Sequence, residues 1–181
     1  MHNEPIVIIG AGQTGRGFIG RLLAERQCDF VLIDKEPALV ERLQEPYTVE
    51  FFAERVPVVV SPYRVLSVDD PAVDDFLQRA SLLFTAVGGE NLPAVGKMLQ
   101  GKLSESTNII VCENAQNAGE HLQNTLLPAA TIGIVNGAVF CTTINIKIAK
   151  NIIIKTNFIS ISSNSKVILI AIITSCEIGV F

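Results

Sequence analysis

A chain of 181 residues, 49% of them hydrophobic, is long enough for one domain with a substantial buried core. Its net charge of −4 at pH 7, with no basic block, argues against a nucleic acid as the main partner. The start of the chain has neither a basic stretch nor a long apolar one, so we expect no signal peptide and a cytoplasmic location. Four widely spaced cysteines without a CxxC pair favour reduced thiols over disulfides or a metal site.

The first predicted strand, Ile6–Ile9, runs directly into the motif Gly-x-Gly-x-x-Gly, and a helical pattern follows at about residue 15. Strand, glycine turn and helix in this order are typical of dinucleotide binding. In such a motif Gly10 permits a tight turn, Gly12 lets the backbone approach a pyrophosphate, and Gly15 lets helix and strand pack closely. The cofactor-binding residues predicted in this stretch are Gly10, Ala11, Gly12, Gln13, Thr14, Gly15 and Arg16.

The motif also predicts an acidic residue about 20 positions further on, at the end of a second strand. Asp34 meets this expectation at the end of Val31–Asp34. Its carboxylate would accept hydrogen bonds from ribose hydroxyls and repel a 2′-phosphate, which predicts NAD rather than NADP. Lys35 and Arg16 weaken that preference, because either cation could approach such a phosphate. The alternative, a strand–helix turn without a nucleotide, stays open.

The next segment predicts a short helix and then a hairpin inserted into the nucleotide fold. Pro37 suits the first turn of the helix, and the strands of the hairpin are expected at Tyr47–Phe52 and Val56–Val60. Because Pro57 has no N–H to donate, the second of these strands should lie at a sheet edge. A further strand is expected at Arg64–Val68.

Two continuous apolar runs, Ser81–Val87 and Asn108–Cys112, predict strands that are covered on both faces. Each precedes a helical pattern, and Asn91 is expected to cap the first of these helices. Thr131–Val135 predicts a sixth strand. The aspartates around residue 70 suit the start of a helix better than a metal site, so no metal is predicted.

Strands that alternate with helices predict an α/β fold, a doubly wound and mainly parallel Rossmann sheet with an inserted hairpin. The loops that follow parallel strands share the carboxyl edge of the sheet, where ligands bind in this architecture. That edge would bring together Gly10–Gly15, Asp34, Gly88-Gly89 and Glu113-Asn114.

Three segments resemble the mannitol-1-phosphate 5-dehydrogenase family of polyol dehydrogenases, and the resemblance covers about residues 5–144. They are Gly10–Gly20 with its run GRGFIG, Thr85–Gly88, and Asn108–Asn114 with its ending CEN. The resemblance implies an NAD-dependent enzyme that interconverts a polyol phosphate, such as mannitol 1-phosphate, and a sugar phosphate by hydride transfer. It also implies the remaining cofactor contacts, with the adenosine half near Ala86, Val87 and Gly88 and the nicotinamide nearer Glu113 and Asn114.

Members of that family carry catalysis in a following helical domain, where a lysine with an asparagine and a histidine handles the substrate hydroxyl proton. This chain has no such set beyond residue 144, and its histidines are His2 and His121. We expect a structural role for His121, so the catalytic residues are unknown and the chain alone should be inactive. The expected division is a dinucleotide-binding domain at 1–144 and an Ile/Asn/Ser/Lys-rich tail at 145–181.

The tail has no family likeness that we can identify, and we expect that it is not the normal continuation of the family. Its most apolar run, Val167–Ile173, is too short to span a bilayer, so a membrane anchor is not expected. Two other functions stay open: a regulatory module that binds NAD(H) without catalysis, and a different NAD-dependent dehydrogenase with the same first domain. The exact substrate and the oligomeric state are open as well.

Overall fold

A computed structural model describes residues 4–51, 57–126, 132–137, 144–148 and 152–156 of the protein. The first half contains β1 Ile6–Ile9, a helix that is π-helical over Gln13–Gly20 and α-helical over Arg21–Glu25 (α1), β2 Phe30–Asp34, α2 Pro37–Arg42, β3 Tyr47–Phe51, β4 Val58–Val60 and β5 Arg64–Ser67. The second half contains α3 Ala72–Arg79, β6 Leu82–Thr85, α4 Leu92–Leu99, β7 Asn108–Cys112, α5 Ala118–Leu126, β8 Gly133–Gly137, β9 Ile144–Ile148 and β10 Ile152–Thr156.

The main sheet has six parallel strands in the order β5-β2-β1-β6-β7-β8. On one side of β1 the chain continues to β2 and then β5, and on the other side it continues to β6, β7 and β8. The helices that connect the strands therefore lie on both faces of the sheet. Ile6 of β1 lies between Phe30 of β2 and Leu82 of β6. The predicted doubly wound, parallel fold is confirmed.

Side chains of the central strand alternate between two apolar clusters, one on each face of the sheet. Ile8 is buried in the cluster that also holds Ile19 of the first helix. Val7 and Ile9 are buried in the other cluster, together with residues of α3, α4 and α5. A strand covered on both faces needs an unbroken apolar sequence, which explains the run that precedes the glycine motif.

A second, antiparallel sheet has the order β10-β9-β3-β4. The predicted hairpin forms its β3 and β4, with Tyr47 opposite Val60. The strand β4 lies at an edge as expected and begins after Pro57, since a proline cannot donate to the ladder. The first part of the predicted tail supplies β9 and β10, and Val167–Ile173 lies outside the described residues.

The expectation of four reduced cysteines is wrong for Cys28, which is disulfide-bonded. Cys112 is free and buried in β7. Burial, together with the neighbouring Glu113, raises the pKa of the Cys112 thiol to about 12. The thiol is therefore protonated and unreactive at neutral pH. Cys141 and Cys176 lie outside the described residues.

No helix in the described part of the chain has the length and apolar character needed to cross a bilayer.

Candidate functional site

The loops after β1, β2, β6 and β7 leave the same edge of the main sheet, because these four strands are parallel and adjacent. Backbone hydrogen bonds join the ends of the central strands: Gly10 N–H donates to the Ile33 carbonyl at 2.8 Å, and Ala86 N–H donates to the Ile9 carbonyl at 2.8 Å. The structure thus brings the four predicted segments of the site to one edge.

The first glycine loop is packed too closely for side chains at two positions. Gly10 has a φ of +98°, and a Cβ atom there would overlap the Ala86 carbonyl. A Cβ atom at Gly15 would overlap the Gly10 carbonyl. These contacts agree with the predicted roles of a tight turn at Gly10 and close packing at Gly15.

Gly12 is different, because its missing side chain faces open space. A Cβ atom built there has no heavy atom within 4 Å. The helix begins at the next residue, Gln13, and the N–H groups of a first helical turn lack partners within their own helix. An open face beside such N–H groups suits an anion, so the residues present fit the pyrophosphate of a dinucleotide.

Asp34 fixes the loop from the neighbouring strand. Its Oδ2 accepts a hydrogen bond from Ala11 N–H at 2.7 Å, and its Oδ1 accepts one from Glu36 N–H at 2.9 Å. Asp34 is half-buried, and each carboxylate oxygen has two lone pairs, so both oxygens keep acceptor capacity beyond these bonds. The carboxylate can hold the loop and still accept a hydroxyl group of a ligand.

The two cations that could approach a 2′-phosphate are engaged elsewhere. The Arg16 side chain is only 2% exposed and donates from Nη1 to the Ala11 carbonyl, beneath the loop. Burial lowers the pKa of its guanidinium. Lys35 is exposed, and its Nζ donates to Asn91 Oδ1 at 3.1 Å. Arg16 therefore shapes the loop from below, and Lys35 bridges to the loop after β6.

The turn after β6 is held by a carboxylate from the end of β7. Val87 N–H donates to Glu113 Oε1 at 2.7 Å, and Gly88 N–H donates to Glu113 Oε2 at 2.9 Å. Glu113 is 7% exposed, and Gly88 has a φ of +87°. Burial raises the pKa of Glu113, and the two backbone hydrogen bonds oppose that shift.

Two residues of this edge have roles that sequence analysis missed. Asn91 makes no side-chain capping bond; instead its Nδ2 donates to the Val87 carbonyl at 2.7 Å. The Tyr47 hydroxyl of the small sheet donates to the Arg16 carbonyl at 2.7 Å. Asparagine before a helix has a strong capping preference, which hid its actual partner, and a tyrosine in a strand carries no signal for a distant carbonyl.

Two other predicted positions lie in the open. Asn114, directly after Glu113, is exposed at the same edge of the sheet, where it is accessible to a ligand. His121 is exposed on α5.

Comparison with known proteins gives the family. The family model described as "Mannitol dehydrogenase Rossmann domain" matches residues 4–164, which is most of the chain. The chain belongs to the mannitol dehydrogenase Rossmann-domain family. This match continues 20 residues (164 − 144) beyond the segment in which the sequence resemblance was found, and it includes β9 and β10.

Curated relatives of this Rossmann domain carry the name mannitol-1-phosphate 5-dehydrogenase. The protein from Bacillus pumilus (strain SAFR-032) is 31% identical over 154 residues, which covers 72% of this chain and 40% of the relative. The protein from Mycoplasmopsis pulmonis (strain UAB CTIP) is 29% identical over 121 residues, covering 65% of this chain and 34% of the relative. The chain thus spans well under half the length of these relatives.

A solved structure with a similar fold is the ternary structure of D-mandelate dehydrogenase with NADH and anilino(oxo)acetate. It has a TM-score of 0.60 and 20% identity, and the match covers 77% of this chain and 42% of that one. At this identity the likeness supports the Rossmann fold and nothing finer.

Proposed function

We propose that this chain is the NAD-binding part of a dehydrogenase that interconverts a polyol phosphate, such as mannitol 1-phosphate, and the corresponding sugar phosphate. The observation that carries the proposal is the glycine loop, whose open face at Gly12 lies beside the start of a helix while Asp34 holds Ala11 N–H. The family match and the names of its relatives support the substrate class.

In this proposal the residues from Gly10 to Gly15 hold the pyrophosphate, with Gly12 giving the closest approach of backbone to phosphate, and Arg16 supports the loop from below. Asp34 accepts the adenosine ribose hydroxyls, since its oxygens have lone pairs to spare. The turn from Ala86 to Gly88 borders the cofactor, and Asn114 is accessible at the nicotinamide end. The bound NAD supplies the hydride-transfer chemistry, and the protein orients it.

The preference for NAD over NADP rests on three residues: Asp34, Arg16 and Lys35. The Asp34 carboxylate would repel a 2′-phosphate. Arg16 is buried under the loop, and Lys35 is hydrogen-bonded to Asn91, so neither cation is placed to offset that repulsion.

Calorimetric titration of the purified chain with NADH and with NADPH tests cofactor binding. We expect NADH to bind more tightly. Gly12→Val should abolish binding because its side chain fills the open face of the loop, and Asp34→Ala should weaken it about tenfold or more. Equal or tighter binding of NADPH would contradict the role given to Asp34. No binding of either cofactor by a folded chain would contradict the proposal as a whole.

A second assay separates the enzyme from a regulatory module. The 181-residue chain has no lysine, asparagine and histidine set after residue 144, so we expect no measurable oxidation of mannitol 1-phosphate by the chain alone. Turnover by the chain alone would contradict this expectation. An NADH-binding chain that gives no turnover even when joined to the helical domain of a relative would favour the regulatory alternative.

The predicted cytoplasmic location stays a prediction.

A further inference from the structure

The turn after β6 depends on one side chain from outside its own loop. Val87 and Gly88 point two successive N–H groups toward one carboxylate, and the two oxygens of Glu113 accept one bond each, at 2.7 Å and 2.9 Å. Two successive N–H groups that converge in this way form a small anion-binding concavity. Here the anion is a carboxylate of the same chain.

Glu113 has little capacity to contact a ligand directly. It is 7% exposed, so the lone pairs that remain beyond its two bonds to the turn are not accessible to a ligand. The N–H groups of Val87 and Gly88 are half-buried, and such groups are costly to leave without an acceptor, so removing this carboxylate would force the turn to change shape or to admit water. Glu113 therefore differs from its neighbour Asn114, which is exposed and accessible to a ligand.

The turn that Glu113 holds also contacts the rest of the proposed site. Asn91 Nδ2 donates to the Val87 carbonyl, and Asn91 Oδ1 accepts a hydrogen bond from Lys35, the residue after Asp34. On the other side, the absence of a Cβ atom at Gly10 leaves room for the Ala86 carbonyl. A shift of the turn would therefore move the wall that faces the glycine loop.

We propose that Glu113 is a positioning residue: its carboxylate holds the Val87–Gly88 turn in the shape that borders the bound dinucleotide, without contacting the dinucleotide itself. This inference rests on the proposed function, because the benefit of the fixed turn is cofactor affinity. It differs from the role that the family resemblance implies, which places Glu113 nearer the nicotinamide.

The test compares Glu113→Gln with Glu90→Gln in the full 181-residue chain. Glutamine at 113 keeps one acceptor oxygen and turns an NH₂ group toward the second N–H of the turn. Glu90 is exposed, and its carboxylate lies near Gly88, so Glu90→Gln removes one negative charge beside the same turn and leaves the two backbone bonds to Glu113 intact. Amide hydrogen exchange by NMR and calorimetric titration with NADH are measured for both variants.

In Glu113→Gln we expect the Val87 and Gly88 amides to exchange about tenfold faster or more. The Ala86 amide, which donates to Ile9, should keep its rate. The dissociation constant of NADH should rise about tenfold. Glu90→Gln should change each quantity less than about twofold. This pattern separates a local effect on the turn from a general loss of stability.

Unchanged exchange at Val87 and Gly88 in folded Glu113→Gln would overturn the inference, and so would faster exchange with unchanged NADH affinity. If Glu113→Gln does not fold, Glu113→Asp decides, since its carboxylate is one methylene shorter and should release at least one of the two amides and weaken NADH binding. Wild-type affinity and exchange in Glu113→Asp would then overturn it. A folded wild-type chain that binds no NADH would instead overturn the proposed function.

Discussion

Asp34 ends β2 and Glu113 directly follows β7, and both accept backbone N–H groups, but they divide their oxygens differently. Asp34 is half-buried and gives one oxygen to Ala11 of the glycine loop and the other to Glu36 of its own turn. Glu113 is buried and gives both oxygens to one turn of a neighbouring loop.

The difference shows that an acidic residue at the ligand edge of a parallel sheet can accept hydrogen bonds from the protein backbone alone or from a ligand as well. The exposure of the carboxylate decides between the two, because lone pairs that remain accessible can accept a ligand hydroxyl. For a buried carboxylate the cost of losing water is offset only by bonds within the protein.

The largest effect is expected from Gly15→Val, which disrupts the packing of the glycine loop that Asp34 holds. A Cβ atom there overlaps the Gly10 carbonyl, and backbone cannot give way as a flexible side chain can. We expect the free energy of unfolding to fall by about 3 kcal/mol or more, measured by urea denaturation. Gly12→Ala is the matched control, since its Cβ atom enters open space, and it should unfold like the wild type. Wild-type stability of Gly15→Val would contradict the packing described.

The next effect compares the two carboxylates directly. Glu113→Ala removes a buried carboxylate and leaves the half-buried Val87 and Gly88 without an acceptor for their N–H groups, and we expect a loss of about 2 kcal/mol in the free energy of unfolding. Asp34→Ala takes the acceptor from one buried N–H group, that of Ala11, and from one exposed N–H group, that of Glu36, so its loss should be smaller, about 1 kcal/mol. Denaturation of both variants under one set of conditions checks this order. The reverse order would mean that burial does not distinguish the two sites.

The same pair should differ in the effect of pH on stability. Burial raises the pKa of Glu113 above its ordinary value of 4.5, so the folded chain binds this proton more tightly than the unfolded chain does. The contribution of Glu113 to stability is then fully present below that value and falls as pH rises through the raised pKa. Denaturation of the wild type and of Glu113→Gln should be measured across this pH range. The free energy of unfolding of the wild type, minus that of the variant, should fall as pH rises. A difference that grows with pH would contradict the shift.

A smaller effect is expected at a second support of the glycine loop, from the small sheet. Tyr47→Phe removes the hydrogen bond to the Arg16 carbonyl and keeps the ring, so it should cost about 1 kcal/mol. It should also weaken NADH binding, because Arg16 lies in the helix that follows the glycine loop and its guanidinium donates to the Ala11 carbonyl of that loop. Tyr63→Phe is the control: its hydroxyl donates to Leu43 and Glu45, away from the loop. If calorimetry finds equal NADH affinities for Tyr47→Phe and Tyr63→Phe, the Tyr47 hydroxyl does not support the glycine loop.

The smallest effect is expected from Lys35→Ala. Its hydrogen bond to Asn91 is 3.1 Å long and exposed to solvent. Exposed contacts of this kind contribute roughly 0.5 kcal/mol or less to stability. NADH affinity should change by less than about threefold, and NADPH affinity should not fall selectively. A selective loss of NADPH binding in calorimetry would show that Lys35 recognises the 2′-phosphate after all.

The sequence by itself determined the strands of the main sheet and their parallel direction, the glycine loop and the position of Asp34. These features depend on local physics: an apolar run before the loop, glycines where Cβ atoms do not fit, and helices between strands that make parallel pairing the natural result. The hairpin and its edge strand followed from alternation and from Pro57 for the same reason.

Tertiary structure alone decided which side chains serve the loops. Glu113 and the turn it holds are 25 and 26 residues apart, and Tyr47 and Arg16 are 31 apart. The burial of Arg16 and the pairing of β9 with β3 are equally non-local. A carboxylate, an arginine or a tyrosine has the same local sequence preferences whether its partner is a ligand or a distant backbone group. Only the packing of the strands determines which groups lie within hydrogen-bonding distance.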